Sequence, residues 1–184
     1  MNLANKISIA RIILIPFFIA SIVYSRMEIA LILFSLAVIS DGVDGFIARA
    51  LRQKTELGKM LDPIADKLLL VSAYICLAMA GNIPAHLKMP PYVPIMVISR
   101  DAIIVLGSII VHIITGDLKV SPSMLGKVTT FFQMITIVAI LMRFSHPAVL
   151  WNTTVFLTAV SGMDYVIKGS RLLSNNHTVP KKTG

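Results

Sequence analysis

Long apolar runs, broken by short polar or Pro/Gly-containing segments, set the pattern of this chain. A helix that crosses a bilayer needs about 20 mostly apolar residues. Six stretches meet that need, near Ile7–Ser25, Glu28–Leu51, Leu57–Ala80, Tyr92–Thr115, Ser123–Met142 and Ala148–Leu172. The breaks carry turn chemistry. Gly81, Pro84, Pro90 and Pro91 part spans 3 and 4; Gly116, Asp117 and Pro122 part spans 4 and 5; Ser145, His146 and Pro147 part spans 5 and 6. The run after Lys6 is read as the first span, retained, because more spans follow it. Tyr92 and Trp151 fall near the outer span ends and read as interfacial anchors.

Composition agrees. Of 184 residues, 56% are hydrophobic and 14% charged, and the mean hydropathy is +0.82. A soluble domain carries roughly 25% charged residues. The expected fold is therefore an all-α integral membrane protein of six transmembrane helices. It is one domain over residues 1–173, with a loose polar tail over 174–184. Cys76 has no second cysteine to bridge and reads as a small packed residue.

The net charge of +8 would suggest nucleic acid in a soluble protein, but here its distribution decides. Lys6, Arg49, Arg52, Lys54, Lys59, Lys119, Lys127, Lys168, Arg171, Lys181 and Lys182 fall on one side of the alternating spans, and Arg26, Lys88 and Arg143 on the other. By the positive-inside rule both termini and the turn between spans 2 and 3 face the cytoplasm. The charge then describes topology and anionic membrane lipids, and nucleic acid is excluded as a partner. The expected location is the cell (inner) membrane, crossed several times.

Four aspartates interrupt this apolar chain within residues 41–66. Ionisable groups inside spans are expensive and usually functional. Asp41 and Asp44 are three apart and share a helix face; Asp62 and Asp66 are four apart and share another. Both 44 with 62 and 41 with 66 centre close to residue 53. An antiparallel hairpin turning near Gln53 would bring four carboxylates into one pocket open to the cytoplasm. Such a set must be protonated in part or hold cations. Oxygen-only donors select Mg²⁺, Mn²⁺ or Ca²⁺, and paired ions of this kind serve phosphoryl transfer. Gly42, Gly45, Gly58 and Ala48 let a ligand approach the backbone, and Arg49 can pair with a phosphate. Two other readings stand beside this one. The glycines can serve helix packing, with the aspartates paired to Arg49, Lys59 and Lys67. Or the carboxylates can form the cation path of a transporter, which their clustering at one end of a hairpin disfavours.

The blocks Asp41-x-x-Asp44-Gly45-x-x-Ala48-Arg49 and Gly58-x-x-x-Asp62-x-x-x-Asp66 resemble the signature of the CDP-alcohol phosphotransferase family at every fixed position. The resemblance implies a metal site facing the cytoplasm between spans 2 and 3. Asp41, Asp44, Asp62 and Asp66 would hold two ions, Mg²⁺ or Mn²⁺. Asp66 would also take the proton of the acceptor alcohol. Gly45, Ala48, Arg49 and Gly58 would bind the CDP moiety of CDP-diacylglycerol. The family is commonly homodimeric, which implies a homodimer here.

The opening MNLANKISIARIILIP, the LGKMLDPIADKLLL run, Ser99-Arg100 and Gly126-Lys127 resemble the bacterial branch that uses glycerol 3-phosphate. A dianionic acceptor needs basic groups, and Arg11, Arg100 and Lys127 are the candidates, with Lys59 and Lys67 flanking the site. Arg100 lies inside a span, where it needs a partner; Asp101 or Asp164 could supply one. Many members of that branch carry Arg-Glu where this chain has Arg100-Asp101. The Arg-Asp pair resembles the cardiolipin-forming branch, whose acceptor is phosphatidylglycerol.

Overall fold

The computed structural model describes the backbone of residues 3–50, 56–81, 83–115 and 124–176, with side chains over 9–42, 65–81, 83–110, 113 and 124–170. Among these residues there are six helices and no strand. They are α1 (Leu3–Val23), α2 (Met27–Ala50), α3 (Glu56–Met79), α4 (Tyr92–Thr115), α5 (Met124–Leu141) and α6 (Pro147–Asn176). The turn near Gln53 lies outside the described residues.

The helices assemble as two groups of three. α1 packs on α2 and α3, while α6 packs on α4 and α5. Contacts of α2 with α5, and of α3 with α4 and α5, join the groups. The joint is where the core sits. Ala30, Phe34 and Ala37 line one face of α2, and Leu70, Ala73, Tyr74 and Leu77 line one face of α3, at the spacing of a single helix stripe. Alanines in both stripes are small enough for other helices to pack closely against them. Phe18 of α1 fills the gap they leave, its ring 5.8 Å from that of Phe34. Ile137, Ile140 and Leu141 close the core from α5.

The outward faces are apolar as well. Phe17, Ile39, Ile95, Leu106, Phe131 and Phe156 are all exposed, which water would not tolerate over so large a surface. Two described helices are long and apolar enough to cross a membrane, over Tyr92–Ile110 and Met124–Leu141.

Turns at the two helix ends are made without glycine. Ser25 and Arg143 adopt positive φ, 59° and 56°. Each lets a following amide reach back to a helix carbonyl, Arg26 to Ser21 at 2.8 Å and Phe144 to Ala139 at 2.9 Å.

Two expectations are corrected. Trp151 is buried in the core rather than anchored at an interface, while Tyr92 is exposed and bonded to Asn152 at 2.6 Å. The last helix also runs to Asn176, beyond Leu172, because the polar residues there do not break a helix.

The α4–α6 contact is unusually close. A methyl group added at Gly107 would lie 2.8 Å from the ring of Tyr165, so a larger residue would force that ring to shift. The Tyr165 hydroxyl donates to the Ile104 carbonyl at 2.9 Å and pairs with Ser108 at 2.8 Å. Between α5 and α6, Thr136 and Thr154 bond at 2.8 Å.

Candidate active site

Asp41 stands on the later part of α2, and Asp66 on the earlier part of α3. The two carboxylates lie within electrostatic reach of each other. The side chains of Asp44, Gly45, Ala48, Arg49, Gly58, Lys59 and Asp62 lie outside the described residues. Gly42, beside Asp41, faces open space where a methyl group would meet nothing within 4 Å.

Asp41 is held from α1. Its Oδ1 pairs with Nη1 of Arg11 at 2.7 Å. Arg11 is only 1% exposed, whereas the Asp41 side chain is 39% exposed. The guanidinium is thus sunk in protein, and the carboxylate it holds looks out into the site. Arg11 therefore touches a predicted metal-binding residue.

Asp66 sits among charges of both signs: Asp41, Lys67, Arg11 and Asp101. Lys67 reaches across to α4 and donates to Oδ2 of Asp101 at 2.6 Å. Oδ1 of Asp101 accepts from Nη1 of Arg100 at 2.8 Å. Nη2 of Arg100 donates to Ser161 of α6, also at 2.8 Å. Arg100 and Asp101 are both buried, and Asp164 pairs with Lys168 rather than with Arg100. Lys127, near the start of α5, is exposed.

Contacts thus join α1 to α2, and α3 through α4 to α6, while Asp41 and Asp66 couple the two sets through their electrostatic field. Their described members are three carboxylates (Asp41, Asp66, Asp101) and three cations (Arg11, Lys67, Arg100). They balance formally. Asp44 on α2 and Asp62 on α3 are two further acidic residues of the same stretch of sequence.

Among the described residues no group of three or more metal-ligating side chains occurs; two of the four predicted ligands are described. Those two fit a hard divalent cation by chemistry: both offer only carboxylate oxygen, and they lie near enough to repel without a cation between them.

Asp101 and Ser161 are the members that sequence reading did not place in the site. The signal for Asp101 was its position beside an arginine inside a span. Ser161 carried none, since a buried serine in an apolar helix most often bonds its own backbone.

A sequence profile of the CDP-alcohol phosphatidyltransferase family matches residues 1–160. A CDP-diacylglycerol–glycerol-3-phosphate 3-phosphatidyltransferase of Bacillus subtilis (strain 168) is 37% identical over 96% of this chain and 99% of its own. A probable phosphatidylglycerophosphate synthase of Mycobacterium tuberculosis (strain H37Rv) is 31% identical over 92% of this chain and 82% of its own. The human CMP-forming cardiolipin synthase is 32% identical over 92% of this chain and 62% of its own.

Proposed function

The chain belongs to the CDP-alcohol phosphatidyltransferase family, and on that premise we propose that it transfers the phosphatidyl group of CDP-diacylglycerol to glycerol 3-phosphate. The products are phosphatidylglycerophosphate and CMP. The observation that carries this reading is that Asp66 lies in the field of Asp41 and of its neighbour Lys67, whose amine shares Asp101 with Arg100. A carboxylate that accepts a proton and cations that receive a phosphate then lie in one place. The relatives named for the same reaction support the choice of acceptor.

The hydroxyl oxygen of glycerol 3-phosphate attacks the lipid-side phosphorus. The new phosphorus–oxygen bond forms as the bond to the bridging oxygen breaks, and CMP leaves with that oxygen. Asp66 takes the hydroxyl proton. Lys67 and Arg100 receive the acceptor's own phosphate; Lys127 meets it at the mouth of the site, and Arg11 steadies Asp41. Gly45, Ala48, Arg49 and Gly58 bind the CDP moiety. Two divalent ions, Mg²⁺ or Mn²⁺, on Asp41, Asp44, Asp62 and Asp66 would neutralise charge on the pyrophosphate and on the leaving group.

The six helices are read as six spans, in one domain over residues 1–173 with a polar tail over 174–184. The site opens to the cytoplasmic face of the inner membrane, and the protein is a homodimer. The apolar outer faces and the basic residues of the connecting segments support this arrangement.

The test is an assay of purified protein with CDP-diacylglycerol, Mg²⁺ or Mn²⁺ and a panel of alcohols. CMP release with glycerol 3-phosphate, abolished by a chelator and restored by the metal, is the expected result. Release with phosphatidylglycerol in its place would reassign the protein to cardiolipin formation. No release with any alcohol would overturn the reaction itself.

A further inference from the structure

Asp101 has no role in the reaction as written, yet it engages two cations at once. Its Oδ1 and Oδ2 take Arg100 and Lys67 at 2.8 and 2.6 Å. The carboxylate is 8% exposed, the Arg100 side chain 7% and the Lys67 side chain 35%. One negative charge thus holds two positive ones in a poorly solvated place, which leaves a surplus of one positive charge. Without Asp101 the two cations would repel, and an incoming anion would replace the counter-charge they share, with Asp66 left to answer Lys67 alone.

The surrounding groups fix the geometry. Ser161 anchors the far terminal nitrogen of Arg100, so that guanidinium cannot swing away. The Nε of Arg100 is buried and has no hydrogen-bond partner among the described residues. Lys67 uses one of its three donors on Asp101, and its partial exposure leaves the others reachable. Lys67 also follows Asp66 directly in the chain.

We propose that Asp101 is the internal counter-ion of the acceptor-phosphate site. It holds Lys67 and Arg100 together in the resting enzyme and competes with the phosphate for their charge, so it sets how tightly the acceptor binds. Asp101 is a positioning residue: it acts through Lys67 and Arg100 and touches no reacting atom. The inference rests on the reading of the acceptor as a phosphate-bearing alcohol.

The decisive measurement is binding of inorganic phosphate to the full-length protein in detergent, without CDP-diacylglycerol. Asp101→Asn is expected to bind phosphate about tenfold more tightly than the wild type, the scale of a removed competing charge. Its KM for glycerol 3-phosphate should fall while kcat does not rise. Asp101→Glu should restore the wild-type values. Lys67→Gln leaves Asp101 and Arg100 as a neutral pair and should weaken phosphate at least tenfold. Unchanged or weaker phosphate binding in Asp101→Asn overturns the proposal. If that variant does not fold, unchanged phosphate affinity in Lys67→Gln overturns it. The binding measurement involves no transfer, so it separates this site from the choice of acceptor. An enzyme that acts on another alcohol, but whose Asp101→Asn form gains phosphate affinity, loses the acceptor reading and keeps the counter-ion.

Discussion

The two helix groups handle buried polarity in different ways. In α1–α3, charge answers charge: Arg11 holds Asp41, and Asp66 sits in the field of both. In α5 and α6, hydroxyls answer hydroxyls and carbonyls. Thr129, Thr136 and Thr154 bond within or between the helices, and Tyr165 ties α6 to α4. Neutral hydrogen bonds fix helices at small desolvation cost. Paired charges cost more to bury and respond strongly to an added anion or cation. The first group is therefore suited to chemistry and the second to holding a frame. α4 stands between them, since Arg100 looks to Ser161 and Asp101 looks to Lys67.

Substitutions in the two groups should separate these roles. The largest effect is expected for Asp66→Asn, which keeps shape but removes the base. CMP release should fall by about 10²–10⁴-fold while binding of CDP-diacylglycerol is largely spared, as an equilibrium binding assay beside the kinetics would show. Equal loss of both would deny the residue a separate catalytic role. Gly107→Ala should act on the frame instead. The added methyl meets Tyr165 at 2.8 Å, and overpacking of this kind costs about 1–3 kcal/mol. A lower melting temperature in detergent, with turnover per folded molecule retained, is the expected pair of results. A large loss of turnover at unchanged stability would blur the comparison. The smallest effect belongs to Thr136→Val, which deletes the bond to Thr154. About 1 kcal/mol of stability should go with it, read as a small shift in the same melting curve.

The helices were legible because their ends are marked chemically. Pro90 and Pro91 lead into α4, whose bounds, Tyr92–Thr115, match the expected span. The end of α6 was not marked in that way: hydropathy falls at Leu172, but nothing there breaks a helix before Asn176. Trp151 misled for a related reason. Its type suits an interface, and only packing against the core decides that it is buried.

Within the site, the spacing of the aspartates picked out Asp41 and Asp66, which feel each other's charge. Asp101 was among the candidate partners of Arg100, but the partners of Arg11 and Lys67 were not readable. Neighbours in a helix sequence normally point apart, yet Arg100 is long enough to fold back onto Asp101. Lys67 and Asp101 are 34 residues apart, a contact that no periodicity within one helix can disclose. Arg11 was a candidate for the acceptor phosphate because a dianionic acceptor needs basic groups. The structure pairs it with Asp41.

The wedge of Tyr165 against Gly107 has a mechanical consequence. Prising α4 from α6 would strip one phenol of both its bonds and open a gap where no side chain can follow. The pair must travel as a single plank. Any hinging that admits a large lipid is then directed to the seam between the two groups, where Lys67 grips Asp101 and Tyr74 donates to the Gln133 carbonyl.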